Sequence, residues 1–252
     1  MNAFKLQDLW RSEEKTAHIH GWDFSHLAGR FTEETDLPWD YGSLARSRLR
    51  PTDRLLDLDT GGGEFLLELR HPYALTSATE AYPPNAALCR TVLTPLGIDF
   101  RETDAAGPLP FADASFDIVL NRHGRYCISE LYRILKPGGL FLTQQVGEDN
   151  DRELVELLLP GTAKPFPGMN LAEQRACFAA QGFTILRGEE AFRPISFFDV
   201  GALVWFARVI PWEFPGFSVD ACLDRLLYAQ RLLETRGSVD GTIHRYLIEA
   251  QR

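Results

Sequence analysis

Arg54-Leu55-Leu56-Asp57-Leu58-Asp59-Thr60-Gly61-Gly62-Gly63-Glu64-Phe65-Leu66-Leu67-Glu68-Leu69 decides the fold of this chain. The first half is a short apolar run with the length of a buried strand, the glycines break it, and the second half can begin a helix. A strand, a glycine turn and a helix in immediate succession predict one unit of a parallel α/β sheet.

The pattern repeats outward from this stretch. Ala74 to Thr79 reads as a second strand, followed by a helix that opens at Pro83-Pro84 and carries an apolar stripe of Ala86, Leu88, Cys89, Val92 and Leu93 until Pro95 and Gly97 stop it. Ile98 to Arg101 is a third strand, Phe116 to Leu120 a fourth, Glu130 to Leu135 a helix ended by Lys136-Pro137-Gly138-Gly139, and Leu140 to Thr143 a fifth strand. Beyond Gly147 the alternation loosens. Helices are expected at Asp151 to Leu158 and Leu171 to Gln181, a sixth strand at Phe183 to Leu186, an insertion from Phe197 to Thr235 with an apolar helix at Gly201 to Val209, and a last strand at Ile243 to Ala250.

The 252 residues are 45% hydrophobic and 24% charged, with 26 Lys+Arg against 35 Asp+Glu and a net charge of -9. That composition suits a globular core and excludes a disordered or collagen-like chain. With no Lys/Arg run, it also disfavours electrostatic binding of nucleic acid. Cys89, Cys127, Cys177 and Cys222 lie far apart and predict free thiols. Met1 to Lys15 lacks the pattern of a signal peptide, and the apolar stretch Val200 to Ile210 is too short to span a bilayer, so a cytoplasmic protein is expected.

Glycine turns between strand and helix suit nucleotide-like ligands because the missing β-carbons let a ligand approach the backbone. The dinucleotide fingerprint G-x-G-x-x-G fails here: from Gly61, Gly63 fits but Leu66 holds the third position. Glu80 ends the second strand, where a carboxylate can accept both ribose hydroxyls of an adenosine, and Asp104, after the third strand, can receive an adenine amino group.

Taken together, residues 50 to 147 resemble the class I S-adenosylmethionine-dependent methyltransferases. The resemblance is carried in order by Leu55 to Gly63, by Glu80, by Thr103-Asp104-Ala105 with Leu109-Pro110-Phe111, by Asp113 to Val119, and by Glu130 to Gly139. It implies a Rossmann-like, doubly wound α/β sheet of seven strands with the last antiparallel. It also implies S-adenosyl-L-methionine as cofactor, held by Asp57, Asp59, Thr60, Gly61, Gly62, Gly63, Glu80, Ala81, Asp104, Ala105 and Asn121. One position departs from the family: Asp59 stands where a small residue, generally glycine, passes under the methionine part of the cofactor. Three readings stay open, in which Asp59 pairs with the cofactor's ammonium, points away, or weakens binding.

A sulfonium carries an activated methyl group, so the protein mainly aligns a nucleophile with it. Asn121-Arg122-His123 follows the fourth strand at the carboxyl end of the sheet, and His123 is the candidate catalytic base, against the alternative of a loop histidine bonded locally. His18, His20, Asp23 and His26 form either a metal site or, as we expect, part of a lid with no metal. Trp39-Asp40-Tyr41 borders the cofactor site or fills core. Phe197, Phe198, Trp205, Trp212, Phe214 and Phe217 line an acceptor pocket or pack as core, with Arg193, Asp199 and Glu213 as polar contacts. The expected organisation is a single domain: an N-terminal helical lid (1–50), a cofactor core (51–147), and a C-terminal part (148–252) that completes the sheet and carries the insertion between strands six and seven. The expected activity is methyl transfer to a small-molecule acceptor. An RNA base methyltransferase and a cofactor-binding protein without catalysis remain the alternatives.

Overall fold

The computed structural model describes residues 3–18, 24–33 and 36–252. In chain order it contains α1 (Ala3–Thr16), β1 (Phe31–Glu33), α2 (Tyr41–Arg48), β2 (Leu55–Leu58), α3 (Glu64–Glu68), β3 (Thr76–Glu80), α4 (Pro83–Val92), β4 (Asp99–Glu102), β5 (Phe116–Arg122), α5 (Ile128–Ile134), β6 (Leu135–Val146), α6 (Arg152–Leu158), α7 (Leu171–Gln181), β7 (Thr184–Phe197), α8 (Val200–Val209), α9 (Leu223–Arg236) and β8 (Val239–Gln251).

Eight strands hydrogen-bond in the order β1-β7-β8-β6-β5-β2-β3-β4. β2 pairs in parallel with β3 and β5, β3 with β4, and β5 with β6. The last strand is antiparallel to β6, as expected. The sheet has eight strands and not seven because Phe31–Glu33 pairs antiparallel with Ile195–Phe197. A three-residue segment has too little periodicity to be read as a strand from sequence; it exists because the long β7 offers it an edge.

Three other boundaries moved for physical reasons. β6 starts at Leu135 and not at Leu140: Phe116 pairs with Leu135 and Ile118 with Leu140, so the Lys136-Gly139 turn bulges out of the ladder. β7 and β8 run well past the four and eight residues expected, since strand length follows the pairing available and not local apolarity.

Local signals account for the helix ends. Pro83 and Pro84 occupy the first positions of α4, where missing N–H groups cost nothing. The Asn170 side chain accepts the Glu173 N–H at 2.9 Å to start α7, and Gly182 (φ +100°) closes it. Asp199 caps α8 by accepting the Ala202 N–H at 2.7 Å, and the same carboxylate receives two hydrogen bonds from Arg30.

The chain forms two compact units. One comprises Met1–Leu37, Glu148–Pro167 and Phe192–His244; the other comprises Pro38–Gly147, Gly168–Ala191 and Arg245–Arg252. The first has a core in which α8 is buried on nearly every side, together with Trp10, Leu154, Phe197, Phe214 and Leu226. The second is centred on Leu56, Leu58, Phe116, Val119, Phe141, Phe178 and Ile248. Each such side chain contributes roughly 1.5–3 kcal/mol by leaving water. No described helix is long and apolar enough to cross a membrane.

Phe197, Trp205, Phe214 and Phe217 of the insertion are thus core of the first unit, while Phe198 and Trp212 are exposed. Arg193 pairs with Asp36 at 3.2 Å, and Glu213 is buried.

Candidate active site

The site lies in the second unit, at the edge where the parallel strands β2, β3, β5 and β6 end. Leu58 is opposite Asn121 in the ladder, and Arg122 is opposite Gln144, so the segments following these strands share one edge. This is where open α/β sheets bind ligands.

The turn after β2 is held by backbone bonds. The Thr60 N–H donates to the Thr79 carbonyl at 2.9 Å, and the Gly63 N–H to the Thr60 carbonyl at 3.2 Å. Gly61 (φ +66°) has open space where a Cβ would stand, so conformation alone demands glycine there. Gly63 (φ +86°) is needed for both reasons, since a Cβ would lie 2.8 Å from Leu93. At Gly62 a Cβ would collide with the Glu64 carboxylate.

Glu80 is buried and organises this turn. Its Oε2 accepts the Gly61 N–H at 2.8 Å, while Oε1 accepts the Ala81 and Tyr82 N–H groups at 2.9 and 2.8 Å. A carboxylate has about four acceptor sites. Three are filled, which leaves one acceptor position, on Oε2.

Asp57 is buried and accepts the Thr60 hydroxyl at 2.7 Å. Burial pushes its pKa up to about 7, against the lowering effect of the Thr60 bond and Arg122. Asp59 has φ +54°, a left-handed backbone that costs a non-glycine residue about 1–2 kcal/mol. Its Oδ2 accepts the Arg125 N–H at 2.9 Å, and its Oδ1 is buried without a partner. Burial foremost, with Glu80 and Asp104 adding repulsion, raises the Asp59 pKa to about 6. Asp104 is exposed, with Oδ1 accepting the Ala106 N–H at 2.9 Å and Oδ2 the Arg125 guanidinium at 3.1 Å; Ala105 beside it is buried in the core.

Asn121 is fully buried. It donates to the Leu58 carbonyl at 3.0 Å and accepts from Thr143 and Gln145, while the Tyr41 hydroxyl meets both its N–H and its carbonyl at 3.2 Å. With these contacts Asn121 braces β2 against β5 and β6 and is not free to hold a ligand by its side chain. Tyr41 is buried in the same network.

His123 (φ +61°) follows β5 and is open to solvent. Its Nε2 lies 3.1 Å from the Gln144 Nε2, and the Gln144 Oε1 accepts the Trp39 indole N–H at 2.7 Å. An indole N–H can only donate, so the Gln144 carbonyl must face Trp39 and its NH2 must face His123. An NH2 also only donates, so His123 accepts at Nε2 and carries its proton on Nδ1. Desolvation by the surrounding protein, then the positive charges of Arg245 and Arg122, hold its pKa well below the ordinary imidazole value. His123 is therefore neutral at physiological pH. Its basic nitrogen is already engaged, and abstracting a proton would require the Gln144 bond to break. Sequence reasoning flagged Trp39 but missed Gln144 and Gln145, whose signal is a polar pair closing an apolar strand.

In the N-terminal segment, His20 and Asp23 lie outside the described residues. His26 stacks on Trp205 with its Nε2 2.9 Å from Glu13, and His18 bonds the Thr16 carbonyl. Among the described residues no group of three or more His, Cys, Asp or Glu side chains is placed to hold a metal. A separate cleft lined by Arg48, Asp53, Asp117 and Lys136 lies at the opposite ends of the strands, away from this chemistry.

Parallel strands, a glycine turn and a buried acid pinned to it define an α/β protein with a ligand site at the carboxyl edge of its sheet. Residues 56–143 match the family described as methyltransferase domain. The chain is 35% identical over 134 residues to a demethylmenaquinone methyltransferase of Thermus thermophilus, covering 46% of this chain and 60% of that protein. It is 33% identical over 98 residues to a phthiotriol/phenolphthiotriol dimycocerosates methyltransferase of Mycobacterium tuberculosis, covering 36% of each. These matches span between about a third and three fifths of the relatives' own lengths. In fold it is similar to an S-adenosylmethionine-dependent methyltransferase of Methanosarcina mazei, with a TM-score of 0.51, 17% identity, and coverage of 83% of this chain and 96% of that one. Residues 56–143 thus carry a methyltransferase domain, and the matches support a class I S-adenosylmethionine-dependent methyltransferase.

Proposed function

We propose that this protein transfers the methyl group of S-adenosyl-L-methionine to a small-molecule acceptor. The observation that carries the reading is the acidic pocket edge itself: the glycine turn pinned by Glu80, with Asp57, Asp59 and Asp104 around it. A ligand with a net positive charge offsets that repulsion, and the orphaned Asp59 Oδ1 lacks a donor that a cationic ligand has. When bound, the cofactor supplies an activated methyl group on a sulfonium.

The residues present fit that group. Gly61 and Gly63 leave the backbone approachable, Glu80 offers the free side of Oε2 to a ribose hydroxyl, and Asp104 and Ala105 stand on the adenine side. Arg125 holds the segment after β5 against the glycine turn through Asp59. Both curated relatives are named for small molecules, and they share with this chain only part of their length. The net charge of -9 favours a small acceptor over RNA.

Calorimetry with S-adenosylmethionine and S-adenosylhomocysteine, followed by radiolabelled methyl transfer to a panel of quinols, phenols, alcohols and bulk tRNA, tests the reading. Binding of both ligands and labelling of a small molecule are expected. Absence of binding overturns the assignment, label on tRNA makes it an RNA enzyme, and binding with no labelling of any acceptor makes it a cofactor-binding protein.

A further inference from the structure

The contacts of His123 extend that reading to the chemistry of the acceptor. Trp39, Gln144 and His123 form a chain of two hydrogen bonds, 2.7 and 3.1 Å long, that begins at a group able only to donate. Direction therefore propagates along it, and the imidazole is left presenting Nδ1–H. The ring is further fixed by its own backbone N–H, which donates to the Gln144 carbonyl at 2.8 Å. Nothing among the described residues accepts from Nδ1, and the side chain is exposed at the carboxyl end of β5.

The charges acting on this ring are positive. Arg122 precedes it on β5, opposite Gln144, and Arg245 enters from β8, opposite Val146 of β6. Arg122 is held over the Phe65 ring at 4.9 Å. A neutral donor on which the Arg245 and Arg122 charges act suits an oxygen that brings negative charge.

We infer, resting on the function proposed above, that His123 meets the methyl acceptor as a hydrogen-bond donor through Nδ1–H, and that the acceptor presents an anionic oxygen, such as a carboxylate or an ionised phenol, at that point. Trp39 and Gln144 are positioning residues that set the tautomer.

The test has two arms. In the first, the free protein with 15N-labelled histidine is observed by NMR at pH 7. The expected His123 spectrum shows Nδ1 protonated and Nε2 unprotonated, and Gln144→Glu reverses it, because a glutamate accepts from both Trp39 and an Nε2–H. Wild-type protein with Nε2 protonated overturns the inference. In the second, the complex with S-adenosylhomocysteine is titrated with matched aryl and alkyl carboxylates and their neutral primary amides. At least one carboxylate should bind at least tenfold more tightly than its amide, with the preference lost in His123→Ala. Equal or weaker binding of every carboxylate overturns it. Failure of S-adenosylhomocysteine to bind at all would instead strike the proposed function, and the NMR arm does not depend on it.

Discussion

Asp59 Oδ2 accepts the backbone N–H of Arg125 at 2.9 Å, so the glycine turn after β2 is tied to the segment after β5 by a side chain where the family generally has none. Gly124 makes this possible. A Cβ there would lie 2.5 Å from the Asp59 Cβ and 2.7 Å from the Asn121 amide.

Gly124→Ala should therefore destabilise the protein by about 1–3 kcal/mol through overpacking. In an Asp59→Gly background most of that cost should disappear, leaving only the contact with Asn121. Urea denaturation of the four proteins of the cycle measures the coupling, and additive effects would show that the two positions do not press on each other.

The buried carboxylates give stability a pH dependence whose sign can be stated. Asp57 has a folded pKa of about 7, above its unfolded value of about 3.9. Between those limits the folded state holds a proton that the unfolded chain has released, so this group's contribution falls as pH rises from about 4 to about 7. The slope approaches about 1.4 kcal/mol per pH unit. His123 acts in the opposite sense below its unfolded value near 6.5, because the unfolded chain then takes up the proton. Asp57→Asn keeps the acceptor for the Thr60 hydroxyl and should remove only the carboxylate contribution. The difference in melting temperature between variant and wild type should be larger at pH 8 than at pH 5, in favour of the variant; a pH-independent difference would show that Asp57 titrates normally.

Glu80→Gln should behave as a severe change despite its shape. Both carboxylate oxygens accept backbone N–H groups, and an amide supplies only one acceptor. Either the Gly61 N–H or the pair from Ala81 and Tyr82 would face an NH2, at about 1–3 kcal/mol for each group left unsatisfied. We expect S-adenosylhomocysteine affinity to fall at least tenfold, together with a lower melting temperature. Affinity within twofold of wild type would remove Glu80 from the site.

Much of this protein was legible in its sequence. The parallel core from Leu55 to Thr143 announces itself because buried parallel strands are short apolar runs, and glycines with positive φ mark the turns between them. Local apolarity likewise identified α8, and the family resemblance marked the Asp59 departure. What the sequence alone could not determine depends on who faces whom. β1 exists only through its partner on β7, and strand lengths follow pairing. The three donors that fill Glu80 come from turns separated by 19 residues in sequence at the Gly61 contact. Most consequential is Gln144, anonymous beside Gln145 on a strand. Only the fold places it between an indole that must donate and an imidazole that must then accept, and that sequence of contacts sets the protonation of His123. Hydrogen-bond direction is a property of assembled neighbours, so no reading of residues one at a time recovers it.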